Sequence, residues 1–437
     1  MTRGRRPGRE RGTARERAVG VLRAVLTRGG RATPLLAERE RGLSEADRGL
    51  LRELVLGVLR WKDALDDEIG GASRVPLPKL APNLREILEV ALYQLRHLDR
   101  VPDYAAVSEA VEHARASGGE GAARLVNGVL RGILLLPPPS PSHLARDFSH
   151  PGFLVARWLQ RFGNDATRRI LEADNRASGL DLMVNPRKTD RAALAAALAA
   201  EGIRTEPSTL SPLALTVASG NPFTSPLFPA GHFSVQDVGS QALPLLLPKG
   251  ETLLDLAAAP GGKSFAALAL GRCRRSVAAD RSLPRLRLLE ENRRRLDAPD
   301  VRPVAADLSA LPFPAGRFDR VLLDAPCSGT GTLRKNPEIR YRVTPEAIER
   351  LSGEQVTFLQ AAAAALCKGG FLLYATCSLE EEENERVVSR VLARDPGLAP
   401  AGIEAPPELA PFVEGARFRL LPDANTDGFT AHLLERR

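Results

Sequence analysis

The sequence predicts a multidomain protein with an amino-terminal all-α bundle, a small α+β module in the middle and a carboxyl-terminal α/β domain. Two observations support this prediction. Apolar residues recur at helical spacing up to residue 136, and beyond residue 250 short Leu- and Val-rich runs alternate with segments of helical period. The second pattern is typical of a parallel sheet flanked by helices. A chain of 437 residues is also too long for one ordinary core.

The composition is that of a globular protein with a polyanionic partner. The formal net charge is +8 and 43% of the residues are hydrophobic. No apolar run approaches the roughly 20 residues needed to span a bilayer, and the Arg-rich start has no apolar signal-peptide region. We therefore expect a cytoplasmic protein with no membrane partner.

Four cysteines are too few for a disulfide framework, and they lack the spacing of metal ligands. They are Cys273, Cys327, Cys367 and Cys377. A lone cysteine is usually a small buried hydrophobic residue, and we interpret Cys273 and Cys367 in this way. No bound metal is expected.

The first domain is predicted to span residues 14–136, after a basic, disordered tail at 1–13. Ala18, Val21, Leu22 and Val25 would share one face of the first helix. Further amphipathic segments follow at 51–61, 84–95, 104–116 and 122–135. Successive amphipathic helices with short loops indicate an α-helical bundle.

A stiff Pro-rich linker at 137–145 marks the clearest boundary in the chain. The middle module is predicted at 146–230, with a strand at 182–185, a helix at 190–201 and a second strand at 213–217. The last domain is predicted at 231–437.

In this last domain, a loop of small residues follows the predicted first strand. The loop consists of Ala257, Ala258, Ala259, Pro260, Gly261, Gly262 and Lys263, and a helix should begin near Ser264. Small residues and glycines let the backbone approach a ligand closely. Because the loop matches neither the dinucleotide-binding nor the Walker pattern, it suits a nucleoside without phosphates, such as S-adenosylmethionine.

Three successive strands are predicted to end on an acid. Asp280, Asp307 and Asp324 follow the apolar runs at 277–279, 304–306 and 321–323. Asp280 follows Asp255 at about the spacing at which an acid accepts hydrogen bonds from ribose hydroxyls. Asp307 is placed to accept from an adenine amino group. The carboxyl ends of parallel strands share one edge, so we expect a ligand site there.

Two cysteines at adjacent strand ends indicate thiolate chemistry. Cys327 follows Pro326 after the fourth strand, and Cys377 follows Thr376 after the fifth. A thiolate of this kind is needed when carbon 5 of a pyrimidine must act as a nucleophile. That carbon is a poor nucleophile until a thiolate adds to carbon 6 and makes carbon 5 enamine-like. Lysine is scarce among the 61 basic residues, so Lys263 could serve as an amine that loses its proton, which arginine cannot do.

Several stretches resemble known families. Residues 52–61, 104–112 and 126–131 resemble the RNA-binding helical domain of the NusB antitermination factor. Residues 255–263, 324–331, 376–378 and 427–429 resemble the RNA cytosine-5 methyltransferases of the Sun/RsmB and NOL1/NOP2 group, as does the whole architecture.

This resemblance implies a Rossmann-like, S-adenosyl-L-methionine-dependent catalytic domain acting on 16S rRNA in a monomer whose first two domains bind RNA. It also implies roles at matching positions. Cys377 would be the nucleophile, Cys327 would assist release of the product, and Asp324 with Lys263 nearby would hold the cytosine ring. The cofactor would lie on the loop 257–263 with Asp280, Asp307 and Asp324. Ala257 departs from the family pattern, which has a cysteine there.

The segment after Cys377 bears on how its thiol is activated. Ser378 to Glu381 reads as a capping box, which would place Cys377 at a helix amino terminus and favour the thiolate. The acids at 380–383 would oppose this. We expect those acids to lie on the solvent side, where they complement the helix dipole.

Three alternatives stay open. The first is a DNA cytosine-5 methyltransferase with Cys327 as nucleophile, and the second is an RNA-binding assembly factor with a vestigial cofactor site. The third keeps the chemistry but takes transfer RNA as substrate.

Overall fold

The computed structural model describes residues 12–136 and 143–437. The predicted basic tail lies almost wholly outside these residues, as does most of the predicted linker. By their contacts, the described residues form two compact units. The helical unit contains the residues up to Ala177 together with Leu333–Arg342, and the sheet unit contains Ser178–Thr332 and Val343–Arg437.

The helical unit confirms the predicted all-α architecture. Its helices are α1 (Ala14–Arg28), α2 (Ala32–Arg39), α3 (Glu45–Ala72), α4 (Pro82–His97), α5 (Asp103–Leu134), α6 (Leu144–Asp147) and α7 (Gly152–Asp174). Thr13 and Glu16 form a capping box at the start of α1. The predicted stripe from Ala18 to Val25 is buried in one core. Two predicted helices join in α5 across Gly119, whose φ of 74° is a conformation that glycine adopts at little cost.

The segment Leu333–Arg342 belongs to the helical unit, which the sequence did not predict. The buried Arg340 guanidinium donates to the carbonyl oxygens of Arg60 (2.7 Å) and Asp174 (3.0 Å). Tyr341 Oη donates to a carbonyl oxygen of α3 at 2.8 Å. Helix α7, whose residues we assigned to the middle module, is also grouped with the helical unit. The predicted domain limits themselves stay predictions.

The sheet unit begins with a small antiparallel sheet, which confirms the predicted α+β module. The strands are β1 (Leu180–Val184), β2 (Arg204–Pro207), β3 (Ala214–Ser219) and β4 (Phe233–Val235), in the order β2-β3-β1-β4. Helix α8 (Arg191–Ala200) connects β1 to β2. Leu182, Leu194 and Leu198 pack in a common core.

A nine-stranded mixed sheet forms the rest of the sheet unit. Its strands are β5 (Thr252–Leu256), β6 (Arg275–Asp280), β7 (Val301–Ala305), β8 (Phe318–Asp324), β9 (Leu366–Thr376), β10 (Leu398–Pro400), β11 (Val413–Glu414), β12 (Arg417–Leu420) and β13 (Phe429–Arg436). The helices are α9 (Val238–Ala242), α10 (Gly262–Ala269), α11 (Leu283–Arg295), α12 (Pro345–Ala365) and α13 (Glu385–Leu392).

Strands β7, β6, β5, β8 and β9 run parallel in that order, and β13 is antiparallel to β9. Helices connect β5 to β6, β6 to β7 and β8 to β9, as parallel neighbours require. Strands β5 and β8 carry buried leucines on both faces, which explains why their sequences are apolar runs rather than alternating patterns. The parallel strands therefore end at one edge, as predicted.

The described residues also bear on membrane, metal and disulfide chemistry. No helix among them is long and apolar enough to cross a membrane. Nor does that part of the chain bring three His, Cys, Asp or Glu side chains together as a metal site would. All four cysteines are free thiols.

Candidate active site

The predicted small-residue loop lies between β5 and α10. Two of its residues have positive φ angles, Ala257 at 58° and Gly261 at 104°. A Cβ atom added to Gly261 would lie 2.5 Å from the ring of Phe265, and one added to Gly262 would lie 3.0 Å from Cδ of Gln236. The positive φ and the nearby Phe265 ring therefore favour glycine at position 261, and close packing against Gln236 favours a residue without a side chain at position 262.

Acceptor atoms near this loop suit the hydroxyl and amino donors of a nucleoside cofactor. Oδ1 of Asp255 and Oε1 of Gln236 are buried and accept no hydrogen bond from any described residue. Oδ2 of Asp255 accepts from Ser264 Oγ at 2.6 Å. Burial raises the pKa of Asp255 to about 7, although the bond from Ser264 acts in the opposite direction. An unpartnered buried acceptor is costly, so a ligand that donates to these atoms would be favoured.

Asp280 is the last residue of β6, and Asp307 follows β7 at the same edge of the sheet. The two acids differ in burial and in hydrogen-bond partners. Asp280 is buried and accepts from the backbone N–H groups of Ala259 (3.2 Å) and Ser282 (2.9 Å). Asp307 is exposed and accepts from the backbone N–H of Ser309 at 2.8 Å. Asp280 thus contacts the loop 257–263 through Ala259, whereas no described hydrogen bond connects Asp307 to that loop.

Lys263 and Asp324 form an ion pair across the ends of β5 and β8. Their Nζ and Oδ2 atoms are 2.6 Å apart. Burial alone would lower the pKa of Lys263, but the charge of Asp324 and the bond to it outweigh burial and raise that pKa above its ordinary value. The prediction that this amine loses its proton is therefore wrong for the free protein, because its partner carboxylate stabilises the ammonium.

The two predicted cysteines are brought together at the neighbouring strand ends. Cys327 Sγ lies 3.3 Å from Cys377 Sγ. The hydrogen bond with Cys377, together with burial, raises the pKa of Cys327 well above its ordinary value. The raised pKa favours the neutral thiol form of Cys327. Coulombic interaction with Cys377 is among the causes that raise the pKa of Lys263, so we group the two thiols with the ion pair as one cluster.

The other two cysteines lie outside this cluster. Cys273 is buried in an apolar core, where burial raises the pKa of its thiol to about 12. Cys367 lies on β9 and is half-buried rather than buried. The interpretation as a small core residue therefore fits Cys273 better than Cys367.

The predicted capping box after Cys377 is wrong. The segment from Ser378 to Glu380 is not helical, and α13 begins only at Glu385 with Asn384 as its N-cap. Ser378 Oγ instead accepts from the backbone N–H of Glu380 at 3.1 Å and donates to a carboxylate at 2.5 Å. Cys377 consequently does not lie at the amino terminus of an α-helix, and the hydroxyl of the neighbouring Ser378 is engaged in a turn.

The expectation that the acids at 380–383 face solvent is wrong for Glu380 and Glu383, although it holds for Glu381, which is exposed. Glu380 is 2% exposed and Glu383 is 0% exposed. The Glu383 carboxylate accepts from the backbone N–H of Ser328 (2.8 Å), from Gln355 Nε2 (3.0 Å) and from the hydroxyls of Ser328 and Ser378. Sequence reasoning missed Glu383 and Gln355; the only signal was a run of acids directly after the Thr-Cys-Ser stretch.

The backbone also connects the stretches that carried the resemblance. The N–H of Gly331 donates to the carbonyl oxygen of Cys377 at 2.9 Å, and the N–H of Gly428 donates to that of Gly331 at 2.7 Å. A Cβ atom at Gly331 would lie 2.5 Å from the Gly428 oxygen. Three separate stretches thus pack backbone to backbone around Cys377.

Three family models match the chain. One described as 16S rRNA methyltransferase RsmB/F matches residues 242–435. The NusB family matches residues 12–134. A ferredoxin-like domain described as RsmF/B-like matches residues 150–224.

Curated relatives and solved structures resemble the chain over most of its length. The probable ribosomal RNA small subunit methyltransferase B of Bacillus subtilis is 36% identical to this chain. The aligned region covers 89% of this chain and 90% of that protein. The ribosomal RNA small subunit methyltransferase B of Vibrio vulnificus is 35% identical, with coverages of 89% and 93%. The crystal structure of PH0851 has a TM-score of 0.79 and 26% identity, covering 98% of this chain and 100% of that one.

Proposed function

Because this chain belongs to the 16S rRNA methyltransferase RsmB/F family, we propose that it is an S-adenosyl-L-methionine-dependent cytosine-5 methyltransferase acting on 16S rRNA. One observation carries the proposal: two thiols lie 3.3 Å apart, in the same cluster as the ion pair of Lys263 and Asp324. A single thiol would suit many reactions. A reactive thiol with a second, neutral thiol beside it suits a reaction in which a carbon–sulfur bond is first made and then broken.

The residues around the loop 257–263 would hold the cofactor. Asp280 and Asp307 would accept from its hydroxyl and amino groups, and Asp324 would lie towards the substrate. The open acceptors on Asp255 and Gln236 are compatible with this assignment. When bound, S-adenosyl-L-methionine supplies an electrophilic methyl group.

Cys377 would open the reaction as a thiolate. Its Sγ adds to carbon 6 of the cytosine, and the electron pair of the carbon 5–carbon 6 double bond shifts to make carbon 5 nucleophilic. Lys263 and Asp324 would hold and polarise the ring edge. The ammonium of Lys263, kept charged by Asp324, offsets the negative charge that develops on the ring.

Cys327 would act when the product leaves. Once carbon 5 carries the methyl group, its proton passes to water and the bond between carbon 6 and Cys377 Sγ breaks. The departing thiolate then receives a hydrogen bond from Cys327, which burial and Cys377 keep neutral. We therefore assign Cys327 to product release rather than to attack.

The NusB-like helices and the small antiparallel sheet would bind the RNA. Contacts to phosphates release counterions, so we expect binding to weaken steeply as salt rises. The target base would have to leave any stack to reach Cys377. We expect the protein to act as a monomer.

Bisulfite sequencing of total RNA tests the proposal directly. Cells with and without the gene would be compared, complemented by the wild type or by Cys377→Ala. We expect one protected cytosine in 16S rRNA to be lost on deletion and restored by the wild type alone. If every protected cytosine survived deletion, an RNA-binding assembly factor would be the better description; a loss confined to transfer RNA would change the substrate and keep the chemistry.

Two measurements separate the remaining alternatives. An oligonucleotide containing 5-fluorocytosine should form a covalent adduct with Cys327→Ala but not with Cys377→Ala; the opposite result would favour the DNA-type mechanism. Calorimetry should detect binding of S-adenosyl-L-methionine to the wild type. No binding would favour the assembly factor with a vestigial cofactor site.

A further inference from the structure

We propose that Glu383 is a positioning residue that holds the two cysteine-bearing segments in register. The proposal rests on the function proposed above, because the register matters only if both thiols act on one base. Glu383 does not itself contact either sulfur through a described bond. It acts through the serines that follow the two cysteines, Ser328 and Ser378.

The geometry of the carboxylate supports this role. Its Oε1 atom accepts from the backbone N–H of Ser328 (2.8 Å) and from Gln355 Nε2 (3.0 Å). Its Oε2 atom accepts from the hydroxyls of Ser328 and Ser378. One side chain thus binds the residue next to Cys327 and the residue next to Cys377, although Glu383 and Ser328 are 55 residues apart in sequence.

The turn that carries Glu383 is itself fixed from several sides. Tyr374 Oη donates to the carbonyl oxygen of Glu383 at 2.6 Å. Asn384 Nδ2 donates to the carbonyl oxygens of Ser378 (3.0 Å) and Glu380 (2.7 Å). Asn384 Oδ1 accepts from the hydroxyl of Thr376 at 2.7 Å. The carboxylate is therefore presented to the two serines by a rigid backbone, as a positioning role requires.

Burial gives these bonds their effect. Glu383 is 0% exposed, and a buried carboxylate is tolerated only when its oxygens accept hydrogen bonds. Hydrogen bonds to a charged acceptor are also the stronger ones. The charge of Glu383 is among the causes that raise the pKa of Cys327, after the bond with Cys377 and burial. The same side chain thus fixes where Cys327 lies and helps to keep it neutral.

The distance between the two thiols is the direct readout. In a disulfide the two sulfurs are about 2.0 Å apart, so thiols held at 3.3 Å need only a small approach. Diamide, an azo compound, oxidises two thiols to a disulfide and is reduced to the hydrazine as it takes up their two electrons and two protons. The rate of forming the Cys327–Cys377 disulfide, followed by peptide mass mapping, therefore reports how the segments are held.

The variants are Glu383→Ala, Glu383→Gln and the matched control Glu381→Ala. Glu381 belongs to the same turn but is exposed, with an ion-pair distance of 3.5 Å to Arg386. We expect Glu383→Ala to form the disulfide about tenfold more slowly, because proximity of the reacting groups is lost. Glu381→Ala should react at the wild-type rate.

Glu383→Gln should stay close to the wild type. Its amide oxygen can accept from Ser328 N–H and Gln355, while its NH₂ group can donate to the two serine hydroxyls. This rescue by a neutral amide would show that geometry matters more than charge. A wild-type rate in Glu383→Ala with intact circular dichroism would overturn the proposal.

Glu383→Asp covers the case in which the alanine variant does not fold. It keeps the charge but shortens the side chain by one methylene, so the disulfide should again form more slowly. A wild-type rate in Glu383→Asp would overturn the proposal in the same way. Neither RNA nor cofactor enters this assay. If the wild-type protein did not methylate RNA, the proposed function would be refuted, but the disulfide assay would still test the position of the two segments.

Discussion

The cofactor loop and the cysteine pair lie at the same edge of one sheet, yet they are built in different ways. The loop is one continuous stretch, 257–263, shaped by positive φ angles at Ala257 and Gly261. The cysteine pair is assembled from separate segments that meet through the Glu383 carboxylate. The first is shaped by local backbone conformation and the second by long-range hydrogen bonds.

The acidic side chains near the loop and those beside the cysteines also differ, in whether their oxygens already accept hydrogen bonds from the protein. Near the loop, one oxygen of Asp255 has no partner among the described residues and Asp307 is exposed, so acceptors are available to a ligand. Beside the cysteines, both oxygens of Glu383 accept from protein donors. This difference is compatible with the proposed roles, in which one half of the site binds the cofactor and the other holds the reacting groups in place.

The largest expected effect is on the cysteine side. Cys377→Ala should lower methyl transfer by at least about a thousandfold, because the nucleophile is removed. Binding of S-adenosyl-L-methionine should stay unchanged in calorimetry. Cys327→Ala should instead let the covalent RNA adduct accumulate, visible as a shifted band on a denaturing gel. Loss of cofactor binding in Cys377→Ala would show that the two halves are not independent.

A substitution in the loop should have the next largest effect. Gly261→Ala places a Cβ atom 2.5 Å from the Phe265 ring at a φ of 104°, and such strain costs about 1–3 kcal/mol. Calorimetry should show cofactor binding weakened by about 10- to 100-fold. Gly271→Ala is the control, since its φ is also positive but no atom lies within 4 Å of the added Cβ. Equal losses in both variants would contradict a role for the contact with Phe265.

The two acids to which we assign cofactor binding, Asp280 and Asp307, should differ in their effects. Asp280→Asn removes the charge of a carboxylate that accepts a hydrogen bond from the backbone N–H of Ala259. This substitution should weaken cofactor binding by about tenfold. Asp307→Asn, at an exposed position, should weaken it by only about threefold. Titration calorimetry of both variants would check the order. The reverse order would mean that the contact between Asp280 and the loop does not matter for binding.

A further expected effect is on stability rather than on activity or binding. Burial raises the pKa of Asp255 to about 7, whereas the same carboxyl in the unfolded chain has an ordinary pKa of about 3.9. The folded protein therefore keeps a proton that the unfolded chain releases. Stability from this group is greatest below about pH 4 and falls as pH rises towards 7, by at most about 1.4 kcal/mol per pH unit.

The Asp255→Asn variant tests this sign. Its thermal midpoint relative to the wild type should rise between pH 5 and pH 8, because the amide has no proton to lose. Differential scanning calorimetry at several pH values would measure this. Parallel curves for the two proteins would contradict the raised pKa.

Much of the fold followed from the sequence because its signals are local. The buried stripe of α1, the apolar runs of β5 and β8, and the glycines of the loop each act within a few residues. The two cysteines could be placed together because parallel strands end at one edge.

Other features could not be predicted from local pattern. Ser378 with Glu381 matched a capping box, yet the hydroxyl of Ser378 bonds to Glu383 and to the turn instead. Lys263 was expected to lose its proton, but the carboxylate of Asp324, 61 residues away, holds it. The segment Leu333–Arg342 was assigned to the last domain by its place in the sequence, and its buried Arg340 bonds to α3 and α7.

The sequence by itself determined the three architectures and the family, and it singled out the small-residue loop and the two cysteines to which we assign the proposed reaction. Periodicity, glycine conformation and strand ends are properties of neighbouring residues, and short motifs record them. Only the tertiary structure decided that Glu383 is buried and bonded to two serines, and that the pKa of Cys327 is raised by its bond with Cys377 and by burial. The reason is physical: burial and hydrogen-bond partners depend on residues about 50 positions apart, and these alone fix charge in the protein interior.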